Sequence, residues 1–336
     1  MIPGLRAFRT AVLMLLPAGF PAFAADTVPS PAFFTALRTA DLRVSTIAFR
    51  LTTANVALCR QVQPELGMPL HALDQYDPEA RRAADAAFGF EADVAVEGVV
   101  PGGPAAKAGV EAGDSVIAIN GEKQPPKPVG KAGAAIVDMR AAADSLLAGL
   151  PSDRPIALTV LRQGQEMTLT LAPVPGCRTG VELMLGPGFE ADSDGDKLRI
   201  SARFLEEFDD DEIAVVLAHE LSHTILEHRK KLEATGVSYG MFAEVGRNRR
   251  LWRQTEDEAD QLSVHLLYNA GYDPRSPVRF WRGKGAMLGG GLFRSRTHAS
   301  PGTRARALEV EAARIAPNAP RPEIPVMLTR RDVPLH

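Results

Sequence analysis

The chain has 336 residues and a formal net charge of −3, with 45% of its residues apolar. That is enough apolar content to fill the cores of about two domains. A near-neutral chain lacks the cationic surface that nucleic acids attract, and its one basic run, Arg247-Asn248-Arg249-Arg250, is short enough to be a solvated helix flank, so no nucleic-acid partner is expected.

The first 24 residues read as a signal peptide. Arg6 and Arg9 form a positive start, Ala11 to Phe20 a short apolar stretch, and Ala22-Phe23-Ala24 a small-x-small cleavage pattern. Pro17 and Gly19 break that stretch, and no later run reaches the length of a membrane span, so the mature chain is expected to have no stable transmembrane segment and to be periplasmic or secreted. Residues 26–84 are expected to form an N-terminal helical segment. Within it Phe33 to Cys59 reads as a helix, with Leu37, Val44, Ile47, Leu51 and Leu58 as its apolar contacts.

Residues 85–176 read as a separate unit. Val99 to Val110 gives a strand, a Gly/Pro turn and a short Ala-rich helix, and Gly113 to Gly121 gives a strand ending in an Asn-Gly hairpin. A second helix is expected over about Ala132 to Leu147. Strands Ile156 to Arg162 and Glu166 to Leu171 then pair across Gln163-Gly164. The pattern resembles a bacterial PDZ domain, a partly open β-barrel with two helices. The resemblance implies that the C-terminal peptide of a protein can bind as an added strand, with the carboxylate loop expected near Phe88-Gly89-Phe90.

Cys59 and Cys177 flank this unit and are the chain's two cysteines. In an oxidising compartment they form a disulfide candidate that would pin the neck of an inserted domain.

Beyond the neck, Asp192-Ser193-Asp194-Gly195 reads as a plain turn into a strand at Lys197 to Ser201, and Leu198 to Ser201 is expected to be an exposed edge. Asp209 to Glu212 then supply a cap and a negative first turn for a helix whose apolar stripe is Ile213, Val216, Leu217, Leu221 and Ile225. This helix carries His219-Glu220-Leu221-Ser222-His223. Positions i and i+4 share a face, so His219 and His223 can bind one Zn²⁺ ion, with Glu220 reaching a bound water as general base. A third ligand is expected from Glu256-Asp257-Glu258-Ala259-Asp260, on a second helix. Glu256 and Asp260 share a face, which suits Glu256 as ligand and Asp260 as the carboxylate orienting a metal-bound imidazole. Glu258 competes for the ligand role but lies about 200° round the helix from Glu256.

H-E-x-x-H followed by E-x-x-x-D resembles the zinc metallopeptidases related to HtpX and the CAAX prenyl endopeptidase, over about Thr179 to Ala316. The resemblance places the third ligand on Glu256. It also places an oxyanion-stabilising His on His298, with Arg304 as its helper, in Thr297 to Arg304; the family's proline, which there follows the His directly, stands here three residues after it, at Pro301. Ser300 and Pro301 read as the cap and first residue of a helix ending near Ala316. Residues 317–336, with five prolines, read as an extended and poorly ordered tail.

The expected fold class is α+β: a mainly helical zincin-type metallopeptidase domain at 177–316 with a small edge sheet, interrupted upstream by the inserted PDZ domain. The expected function is an exported zinc endopeptidase acting on proteins or peptides in envelope protein quality control, with one Zn²⁺ per chain. The alternative is a non-catalytic peptide-binding, chaperone-like protein with a structural or silent metal site.

Overall fold

The computed structural model of the protein describes residues 29–123, 138–237, 246–289 and 299–336. The expected signal peptide and His298 lie outside these residues. Helix α1 (Pro31–Ala54) begins where its sequence favours a start: the Ser30 side chain accepts from the Phe33 amide, and Pro31 stands in the first turn. Its buried side serves two bodies. Phe33, Phe34 and Leu37 join an aromatic cluster with Tyr76 and Phe88, while Val44, Ile47 and Leu51 enter the core of the C-terminal helices.

After Cys59, strand β1 (Val62–Glu65) pairs antiparallel with β8 (Val174–Cys177), closing the neck of an insertion. Cys59 and Cys177 are bonded there, with Cα atoms 5.5 Å apart. Inside the insertion run β2 (Leu70–Ala72), α2 (Arg81–Phe88), β3 (Val94–Val96), α3 (Pro104–Ala108), β4 (Ser115–Ile119), β5 (Glu122–Lys123), α4 (Met139–Ala148), β6 (Ile156–Arg162) and β7 (Gln165–Leu171). The sheet order is β2-β3-β4-β6-β7, antiparallel throughout, with β5 paired to β4. Asn120-Gly121 and Gln163-Gly164 hold positive φ at both residues, the twist a two-residue hairpin needs. The sheet takes in β2, which lies upstream of residue 85; a three-residue strand gives too short an alternation to be read in advance. Leu70, Val96, Val116, Leu158 and Val160 fill its core.

Beyond the neck, β9 (Gly180–Met184), β10 (Ala191–Ser193) and β11 (Lys197–Ser201) form a second sheet in the order β10-β11-β9. Leu198 to Ser201, expected as an edge, is therefore central: β11 lies parallel to β9 and antiparallel to β10. The edges among the described residues are β10 and β9. The helices that follow are α5 (Ala202–Glu207), α6 (Asp210–Ile225), α7 (His228–Ala234), α8 (Gly246–Asn269), α9 (Ser276–Arg282) and α10 (Pro301–Ala312). Ile213, Leu217 and Leu221 of α6 share a core with Leu262 and Leu266 of α8. Arg43 of α1 ties itself to this body through the carboxylate of Asp210 and the carbonyls of Leu205 and Phe208.

The last 20 residues are not the loose tail their prolines suggest. Tyr268 donates to the Ala319 carbonyl, Arg331 donates to the Leu58 carbonyl, and Leu335 is buried among Leu232, Val237 and Leu251. Proline removes a backbone donor but leaves its neighbours' carbonyls free to accept side chains. No described helix is long and apolar enough to cross a membrane.

Candidate functional site

The site begins with the start of α6. Asp209 accepts from the Glu212 amide while Glu212 accepts from the Asp209 amide, a reciprocal cap that fixes the helix register. Register then sets His219 and His223 on one face, where their rings lie 4.9 Å apart between centroids. Helix α8 packs alongside and brings up Glu256 and Asp260.

The donor atoms converge. His219 Nε2 lies 3.2 Å from His223 Nε2 and 3.2 Å from Glu256 Oε2, and His223 Nε2 lies 3.7 Å from Glu256 Oε1. Ligands held about 2.0–2.1 Å from a tetrahedral ion are roughly 3.3–3.4 Å from one another, so the three groups fit one zinc. Their protonation fits it too. His219 Nδ1 is 3.1 Å from Asp260 and donates to that carboxylate, which leaves the Nε2 lone pair aimed at two other acceptors. Such a cluster of lone pairs is stable only around a proton or a cation. Without an ion, burial opposes charge on His219, but Asp260 and Glu256 outweigh it and push its pKa up to about 10.

A second support, missed in the sequence, stands behind His223. His228 Nδ1 lies 3.0 Å from His223 Nδ1, and His228 Nε2 lies 3.2 Å from Glu258. His228 is buried, and burial lowers its pKa against the pull of Glu258, which keeps the ring neutral. A neutral His228 donating to Glu258 must accept at Nδ1. His223 then donates from its own Nδ1, freeing its Nε2 lone pair for the metal position. Glu258, the rival for third ligand, is thus occupied with His228. The only sequence signal for the pair was the leftover His and Glu themselves: Glu227 takes a left-handed conformation (φ 54°) between α6 and α7 and breaks the periodicity that would relate His223 to His228.

Arg304, expected as a helper at the oxyanion, is engaged with Asp260. Its Nε donates to Asp260 Oδ2 at 2.6 Å and its Nη2 to Asp260 Oδ1, while the guanidinium lies 3.7 Å from the Trp281 ring centroid. Burial raises the cost of the Asp260 charge, yet Arg304 and His219 hold its pKa down at about 2. The order of support is Arg304, Asp260, His219. Ser300 caps α10 and so sets Arg304 one turn inside that helix.

Glu220 faces a cavity of 360 Å³ with His219, Phe189, Val216, Phe280 and Trp281 in its walls. Among the described residues its carboxylate makes no hydrogen bond. Burial pushes its pKa up to about 7, against the opposing charge of His219. Ala191 of β10 borders the same cavity, and Ser193 of β10 is bound to Thr224 of α6 at 2.8 Å. The outer edge of β10, unpaired among the described residues, therefore runs beside α6.

The inserted domain carries a second candidate site, away from the expected Phe88-Gly89-Phe90. There Phe88 ends α2 and is buried against Phe34, Tyr76 and His71, so it cannot open a carboxylate loop. The loop that does precede an edge strand is Leu66-Gly67-Met68, with Gly67 at φ 67°. It leads into β2, and a crevice of 460 Å³ runs beside Leu66 to Leu70 and along α4. An edge strand beside a helix is the arrangement by which PDZ domains take an extended peptide.

A PDZ domain is present: the PDZ family model matches residues 96–124, from the end of β3 through β5. Among solved structures, the HtrA-type protease AlgW with decapeptide is similar over 34% of this chain and 30% of that one, with 25% identity and a TM-score of 0.25. The chain thus spans about a third of that structure. No curated protein matches the chain. The protein is a mixed α/β chain with a PDZ domain.

Proposed function

We propose that the chain is an exported zinc endopeptidase of envelope protein quality control, with a zincin-type helical domain like that of HtpX and the CAAX prenyl endopeptidase. One observation carries this reading: His219, His223 and Glu256 converge at zinc-ligand spacing while Glu220, on the same helix as the two histidines, faces an open cavity with no hydrogen-bond partner among the described residues. Zinc held by these three groups would supply a Lewis acid and a water acidified towards neutral pH.

The chain's own residues do the rest. Extended substrate pairs with the outer edge of β10, which sets its carbonyl beside α6. The apolar walls at Val216, Phe280 and Trp281 accept a neighbouring side chain and exclude water. Glu220 takes a proton from the attacking water and passes it to the leaving amine, and a pKa of about 7 suits a group that must do both. Asp260, locked by Arg304, holds the His219 ring in the tautomer that presents Nε2. Arg304 therefore acts through Asp260, and the oxyanion role stays with His298.

The test is Glu220→Gln. The variant is expected to keep about one zinc per chain and to lose casein cleavage by roughly 10²-fold or more. Cleavage at the wild-type rate overturns the mechanism. The crevice at β2 favours a second reading, a PDZ protein that captures peptides without cutting them. Chelator-sensitive cleavage of unfolded casein separates the two.

A further inference from the structure

Residues 331–336 are fastened at both ends of α7. At one end Arg331 donates to the Leu58 carbonyl, and Arg60 pairs with both Asp332 and Glu227, the residue that turns the chain into α7. At the other end Leu335 is buried with Leu232 of α7, Val237, and Leu251 of α8. Val333 and Pro334, between these anchors, are exposed.

A line of hydrogen bonds runs inward from the same residues. The His336 amide donates to Gln254 Oε1 at 3.1 Å, and Gln254 Nε2 donates to Glu258 Oε1 at 2.8 Å. A carboxamide has one accepting end and one donating end, so a donor on its oxygen turns its amino group the other way, here towards Glu258. Glu258 Oε2 then faces His228 Nε2 at 3.2 Å, and His228 Nδ1 faces His223 Nδ1 at 3.0 Å. Each contact fixes the orientation or the proton of the next, from His336 to a ligand of the proposed zinc site.

Packing leads to the same place. Helix α7 has seven residues, and a helix shorter than about 12 residues is not stable by itself. The position of His228 therefore depends on what α7 packs against. Leu232 lies four residues after His228, on the same face of α7, and Leu335 packs against it.

We propose that residues 331–336 are a positioning strap for the zinc site. They seat Leu335 on α7 and α8 and orient Gln254, and so hold Glu258 and His228 where His223 presents Nε2 to the metal. Neither Gln254 nor Leu335 is a ligand; both act through His228. The proposal rests on the zinc reading above and adds to it a determinant of metal affinity outside the ligand set. Coupling of this kind is reciprocal, so bound zinc in turn tightens the strap.

The experiment uses the full chain and measures zinc affinity by chelator competition for the wild type, Leu335→Asp, Leu335→Met and Gln254→Leu. Loss of a ligand's direct support costs 10–100-fold in affinity, so Leu335→Asp and Gln254→Leu, one step further out, are expected to cost about 3–10-fold. Leu335→Met, which keeps the seat filled, is expected to regain the loss. In a His228→Leu background neither Leu335→Asp nor Gln254→Leu is expected to weaken zinc further. The visible bands of bound Co²⁺ are expected to shift in Gln254→Leu, the mark of a moved ligand. Hydrogen exchange at residues 332–336 is expected to slow when zinc is added. Urea unfolding of the zinc-free variants checks that they fold, and if Leu335→Asp does not, Gln254→Leu decides. Folded variants that bind zinc as tightly as the wild type, or equal losses with and without His228, overturn the strap alone. A wild type that binds no zinc overturns the zinc reading as well.

Discussion

His228 Nδ1 lies 3.0 Å from His223 Nδ1, so one imidazole fixes the orientation of another. The chain Glu258, His228, His223 would do for one nitrogen at the proposed zinc site what Arg304, Asp260, His219 would do for the other. Replacing such a support typically costs 10–100-fold in metal affinity. His228→Leu is expected to weaken zinc binding about that much, and His228→Gln, which can still accept from His223, to recover part of it. Competition with a chelator at equilibrium measures both. Equal zinc affinity in wild type and His228→Leu would show the contact to be mere packing.

Arg304 and Asp260 are both buried and doubly hydrogen bonded. Removing one partner strands the other's charge, at a cost of about 3–5 kcal/mol. Arg304→Met should destabilise the fold by that order in urea unfolding. Adding Asp260→Asn to it should restore part of the loss, because the stranded charge is gone. Additive losses would mean that the pair does not interact.

The Cys59–Cys177 bond closes a loop of 118 residues. Constraining an unfolded chain over that length is worth about 4–5 kcal/mol in the entropic account. Cys59→Ser with Cys177→Ser should lower stability by roughly that amount, and reductant should do the same to the wild type and nothing to the variant. A double variant as stable as the oxidised protein contradicts the prediction.

Glu65, which lines the crevice, has its pKa pushed up to about 7 by burial from an ordinary 4.5, with Gln63 opposing. A carboxyl that holds its proton more tightly when folded stabilises fully below pH 4.5, and that benefit is lost as pH rises through 7. Glu65→Gln should match the wild type near pH 4.5 and exceed it above pH 7 by on the order of 1–3 kcal/mol. A stability difference that is flat from pH 4.5 to 8 would show that Glu65 does not titrate this way.

What was legible in the sequence follows from how local each feature is. The start of α6 is written in Asp209 and Glu212, four consecutive residues, and the i, i+4 rule then placed both histidines. The start of α10 is written in Ser300 and Pro301 in the same way. The loop expected to receive a peptide carboxylate shows the opposite case. Leu66-Gly67-Met68 and Phe88-Gly89-Phe90 have the same pattern, and both glycines sit at φ 67°. Only tertiary contacts tell them apart: Leu70–Ala72 pairs with β3, whereas Phe88 is drawn into an aromatic cluster. The strand at Leu198 was also found, but not its neighbours on both sides, because β9 and β10 are short and carry little alternation. His228 escaped because the backbone turns at Glu227, and the spacing from His223 has meaning only in three dimensions.

The anchored last residues bear on how such an enzyme would treat its own kind. Leu335 is buried beside Trp252 and Leu251, the backbone amide of His336 donates to Gln254, and Arg60 holds Asp332. A peptidase that takes extended chain would meet neighbouring copies of itself at high local concentration. Under the proposed peptidase reading, residues 332–336 held against Arg60 and α8 offer no loose strand while the protein is folded, so cleavage there would fall on unfolded copies and spare folded ones.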